Sequence, residues 1–197
     1  MATISLAVPR NDMNKISFFT RYQSGFTLVE ILVSVLVLGI GLLGLAGLQT
    51  TGLKSNHSAN LRTQATLLAY DMADRIRANK AGVDGGFYDK PTATDKGCVW
   101  DGNTPNNCTA QELAQHDAQE WLDTLARELP QGTGIVCKDS TPDDGGDDDN
   151  DGAIDITDDD EIDCDGGNLY TVKIWWVDEF DDDGDPIIKR FSTTFQP

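Results

Sequence analysis

Hydrophobic and polar positions alternate in three different ways along the chain. Residues Ile31 to Leu53 form an uncharged run of 23, which at about 1.5 Å per residue is long enough to cross a bilayer core of about 30 Å. After Leu53 the run gives way to helical spacing. Leu61, Ala65, Leu68, Ala69, Met72 and Ile76 recur every three or four residues, with Arg62, Asp71, Asp74, Arg75 and Arg77 between them. This predicts an amphipathic helix that continues the run to Asn79, and a single helix from Phe26 to Asn79 would reach about 80 Å. Turn-forming residues fill Ala81 to Cys108. Thr109-Ala110-Gln111-Glu112 then reads as a capping box, with Leu113, Trp121, Leu122, Leu125 and Leu129 on one face of the helix it starts and Pro130 ending it. The last third predicts strands at Thr133 to Lys138, Leu169 to Val177 and Ile187 to Phe195. In the middle strand Tyr170, Val172, Ile174 and Trp176 alternate with Thr171, Lys173, Trp175 and Val177, so both faces meet apolar partners or the sheet is partly covered. An antiparallel sheet laid on the C-terminal half of the long helix gives an α+β fold.

Charge adds an orientation. The net charge is −18, and 20 of the 33 acidic residues lie between Asp139 and Asp185, while the first 25 residues carry three basic residues against one acidic. A basic start before an apolar run and an acidic tail after it suit a membrane protein with its C-terminal part outside the cytoplasm. Such a balance repels phosphate backbones, so no nucleic-acid partner is expected. An ordinary secretory signal has a shorter apolar core and a small-residue cleavage site after it, unlike this run. His57 and His116 are isolated, and there is neither a glycine-rich phosphate loop nor a nucleophile elbow, so no enzyme is expected.

Cys98, Cys108, Cys137 and Cys164 suit two disulfides in an oxidising compartment and lack the spacing of a zinc site. Sequence allows three pairings. The nearest-neighbour one, Cys98 with Cys108 and Cys137 with Cys164, closes one short turn-rich loop and one loop around the acidic segment 139–165. Inside that segment Asp147 to Asp158 follows a twelve-residue calcium template. Asp147, Asp149, Asp151, Asp155 and Asp158 stand at positions 1, 3, 5, 9 and 12, with Gly152 at the turn and the Ala153 carbonyl at position 7. It resembles the dockerin variant more than a full EF-hand. The alternative is a solvated acidic loop. Thirteen carboxylates between Asp143 and Asp165 repel one another unless a cation intervenes, which makes calcium the expected cofactor if there is one.

At the head of the apolar run stands Gly25-Phe26-Thr27-Leu28-Val29-Glu30. An ionisable group inside a membrane segment costs about 2.5–3.5 kcal/mol and usually survives for a function, although a carboxylate also suits a helix N-terminus. The motif resembles the class III signal of type IV prepilins. That resemblance implies cleavage by prepilin peptidase between Gly25 and Phe26, methylation of the new Phe26 amino group, and pairing of Glu30 with the N-terminal amine of a neighbouring subunit. It also implies a leader over 1–25, with Met13 as a second possible start, an assembly helix over 26–53 and a pilin head over 54–197. Gly39, Gly41, Gly44 and Gly47 mark where the helix could pack closely or unwind, and the proline that the family often carries near here is absent. The Trp-bearing helix ending in Leu129-Pro130-Gln131-Gly132, together with Tyr170-Thr171-Val172-Lys173-Ile174-Trp175-Trp176, is similar to minor pilins of the PilV type.

The implied fold is the type IV pilin fold, and the implied role is a minor pilin that helps initiate pilus assembly and supports adhesion or twitching motility. Its expected partners are other major and minor pilins, prepilin peptidase and the inner-membrane assembly platform. It would sit in the inner membrane as a single-pass protein with a periplasmic head before assembly, and in the extracellular pilus afterwards. A pseudopilin of type II secretion and a calcium-dependent tip adhesin are the alternatives.

Overall fold

The computed structural model describes residues 25–98, 107–147 and 152–197. The chain divides into two compact units, Met1–Leu48 and Gln49–Pro197. Helix α1 runs from Leu28 to Ala78. In its first part every large apolar side chain from Leu28 to Leu48 is exposed. Farther along, the residues on the three–four spacing turn inward, and Leu61, Ala65, Ala69, Met72, Ala73 and Ile76 are buried.

Asn79 ends α1 and starts α2 (Lys80–Asp84). Its side-chain oxygen accepts from Gly82 N–H at 3.0 Å, and its amide donates to the Ala110 carbonyl at 2.8 Å and to the Tyr88 hydroxyl at 3.1 Å. This five-residue helix lies in the stretch expected to be only turns, because a single turn is too short to show periodicity and is fixed by its cap. Helix α3 (Ala110–Glu128) has the expected capping box between Thr109 and Glu112. Trp121, Leu125 and Leu129 are buried, while Leu113 and Leu122 are only partly so.

Strands β1 (Thr133–Lys138), β2 (Tyr170–Phe180) and β3 (Pro186–Phe195) form one antiparallel sheet in that order. A one-turn helix α4 (Asp159–Ile162) lies in the long β1–β2 connection. Val136, Val172, Ile174 and Trp176 join the core with α1 and α3, whereas Ile135, Cys137 and Trp175 form a second apolar cluster with Ile162. Both faces of β2 are therefore covered, which is why its buried positions do not alternate. Gly134 lets β1 come close to α3, since a Cβ there would stand 2.7 Å from the Trp121 ring and 2.9 Å from Leu125. The fold is α+β, with disulfides Cys98–Cys108 and Cys137–Cys164.

Candidate functional site

Two parts of the chain hold the predicted site residues, and the N-terminal one is the simpler. Thr27 closes the start of α1. Glu30 N–H reaches its hydroxyl at 3.3 Å and its carbonyl at 3.0 Å, so Thr27 and Glu30 stand three apart as in an N-cap. Glu30 sits in the first turn, where the helix dipole favours a carboxylate. It is exposed and has no ion pair among the described residues. Phe26 is 78% exposed. Gly39, Gly41, Gly44 and Gly47 have nothing within 4 Å of where a Cβ would stand. The 51-residue helix is long and apolar enough to cross a membrane. A carboxylate and a run of exposed apolar side chains thus share one element among the described residues.

The acidic segment is built around a cation that sequence reasoning did not identify. Lys173 lies in the middle of β2 with its side chain fully buried. Its Nζ stands 2.6 Å from Asp144 Oδ1 and 2.8 Å from Asp139 Oδ2, and it donates to the carbonyls of Ile162, Asp163 and Asp144 at 3.0, 3.0 and 3.1 Å. Arg190 of β3 donates to the carbonyls of Asp143 and Gly145. Two strand cations therefore draw the acidic loop onto the outer face of the sheet, and Cys137–Cys164 ties the same loop to β1.

Several of the expected calcium ligands are used locally. Asp147 accepts from Gly152 N–H at 3.0 Å, and Gly152 has φ +85°, the turn its position in the template demanded. Asp155 accepts from both the N–H and the hydroxyl of Thr157, while Asp158 caps α4 through Asp160 N–H. Asp149 and Asp151 lie outside the described residues. Among the described residues no three Asp, Glu, His or Cys side chains are grouped to hold a metal ion.

Burial pushes the Asp144 carboxyl up, but the hydrogen bonds from Lys173 and Thr141 outweigh it and hold it below the usual carboxylate range. Hydrogen bonds from Thr157 lower Asp155, and those from Ser140 lower Asp165. A carboxyl whose folded pKa is depressed contributes stability that is complete above its unfolded value of about 4 and is lost as pH falls through the folded value. The melting midpoint of the head is accordingly expected to drop as pH falls below about 4. A midpoint unchanged between pH 5 and pH 3, both about one unit from that value, would contradict this.

His116 is not isolated, as its sequence neighbours suggested, because its Nδ1 stands 3.0 Å from Asp95 Oδ1 and joins the segment before Cys98 to α3. Asp95 is 21 residues upstream, and no spacing rule would have linked the two. A cavity of about 460 Å³ beside β1 is walled by Trp121, Leu122, Ile135, Ile156 and Ile162. The charged groups that line it, Lys90 and Asp159, pair with each other at 2.5 Å.

Residues 20–46 match the prokaryotic N-terminal methylation motif, and residues 47–119 match the family described as Tt1218-like, type IV pilin Tt1218. No curated protein and no solved structure matches the chain.

Proposed function

We propose that this chain, a type IV pilin by its family match and its prepilin methylation motif, is a minor pilin of the PilV type that helps initiate a pilus and supports adhesion or twitching motility. The observation that carries the reading is an exposed Glu30, with no ion pair among the described residues, in the first turn of a helix whose large apolar side chains from Leu28 to Leu48 are exposed. In a bilayer the apolar side chains are covered by lipid, and the carboxylate keeps a cost that only a cation removes. The amine created at Phe26 of a neighbouring subunit is such a cation, so joining the filament neutralises both charges. Before assembly the subunit is anchored in the inner membrane with its head in the periplasm, where the two disulfides form. Prepilin peptidase, the assembly platform and other pilins are its partners.

Mass spectrometry of sheared filaments should find this chain beginning at a methylated Phe26. Glu30→Ala should remain in the membrane fraction at normal level, yet fall at least tenfold in filaments, since a tenfold loss needs about 1.4 kcal/mol of the cost described above. Normal amounts of the variant in sheared filaments would sink the role given to Glu30, and an intact leader there would sink the processing. A gene deletion that abolished extracellular enzyme secretion while leaving surface pili would assign the subunit to type II secretion instead.

A further inference from the structure

Strand β1 is one edge of the sheet, and its outer side is only partly paired. Lys90 N–H meets the Val136 carbonyl at 3.0 Å and Lys138 N–H meets Asp89 Oδ1 at 2.9 Å, so Asp89 and Lys90 follow the far end of β1. Pro91 has no N–H with which to continue. The segment leaves for α3, where Thr94 N–H reaches the Gln115 carbonyl at 3.1 Å. Backbone groups two apart in a strand point the same way, so Gly134 turns its N–H and C=O away from β2 as Val136 does. Those two groups and the Val136 N–H have no partner among the described residues, although both residues are buried. Buried backbone groups are seldom left so.

The cavity of about 460 Å³ lies off this stretch of edge. Gly134 and Val136 line it, with Met72 and Leu122 from the helical side of the sheet and Ile156 and Ile162 from the other. We propose that it receives an extended segment of a partner protein, which adds as a short strand to Gly134–Val136 and seats one apolar side chain in the cavity. Two donors and an acceptor at strand spacing are matched by another extended backbone, and the apolar walls select the side chain. Charge narrows the partner further. Asp159 lines the cavity and Asp158 and Asp160 beside it are exposed, while Lys90 pairs with Asp159 alone among the described residues. Basic residues flanking the apolar one therefore suit the partner segment. The proposal needs neither the membrane anchor nor the filament.

The test titrates the full chain in detergent with a capped Lys-Thr-Leu-Thr-Lys peptide and follows hydrogen exchange of backbone amides by nuclear magnetic resonance. Binding is expected with a Kd on the order of 1 mM. At about ten times that concentration, exchange at the Gly134 and Val136 amides should slow about tenfold, because only the unbound fraction exchanges. Amides of β3, the opposite edge of the sheet, should not change. Alanine in place of the peptide's leucine should weaken binding about tenfold. Methylating the peptide's backbone nitrogens should abolish binding, and so should Leu122→Trp, which fills the cavity. Unchanged exchange at Gly134 and Val136, or equal binding by the methylated peptide, would overturn the added strand. Equal binding by the alanine peptide would overturn the cavity as the side-chain site. Isobutanol slowing the same amides as fully would put a small apolar ligand in place of the peptide.

Discussion

Lys173→Met should destabilise the head by about 3–5 kcal/mol, the usual cost of breaking a buried pair by removing one partner. The physical reason is asymmetry. Lysine brings one charge into the sheet and meets two carboxylates and three carbonyls there, so its burial is compensated by contacts between 2.6 and 3.1 Å. Methionine fills much the same volume but leaves Asp139, which is 1% exposed, without its counter-charge. A buried charge left without its partner is costly. Full-chain melts in detergent should show a midpoint lower by roughly 10 °C, with hydrogen exchange in residues 139–165 rising more than in α3. The deficit should shrink as pH falls, because the stability that the depressed Asp144 carboxyl draws from Lys173 is then lost from the wild type as well. A wild-type midpoint with unchanged exchange in that loop would show that Lys173 does not organise it.

Trp121→Ala carries the other large effect, about 3–5 kcal/mol for truncating a buried tryptophan. The indole is 2% exposed and packs over the bare Cα of Gly134, where no side chain from β1 could fill the void. Its Nε1 also donates to the Leu68 carbonyl at 2.9 Å, joining α3 to α1. Trp121→Phe keeps most of the contact area and loses the hydrogen bond, so it should cost only about 1–2 kcal/mol. Equal urea midpoints for the two variants would show that packing at this position is not what stabilises the head.

Features written into neighbouring residues could be read from the sequence, and those requiring distant residues to meet could not. Thr109 and Glu112 announce the start of α3 because a capping box spans only four positions. The three strands appear close to where their patterns put them, and the disulfides join the neighbouring cysteines. Lys173 looked like one polar position in an alternating strand. Its partners Asp144 and Asp139 lie 29 and 34 residues upstream, and nothing in a period of two says where an ammonium will end. Of the residues in the calcium template, Asp155 and Asp158 accept from backbone groups two residues away, contacts that the alternation of aspartates does not announce.

The loop's dependence on Lys173 and Arg190 also sets an order of events. Both cations come after the acidic segment in the chain, so a head emerging N-terminus first exposes residues 139–165 before either counter-charge exists. Until β2 and β3 arrive, Lys90 is there to meet Asp159, but neither Lys173 nor Arg190 is there to meet the rest of the segment. Closing it waits on contacts of long sequence separation, which form slowly. Once the strands have paired, the cations draw the loop down and bring Cys164 to Cys137. The acidic segment therefore gains these two counter-charges only after β2 and β3 have been made.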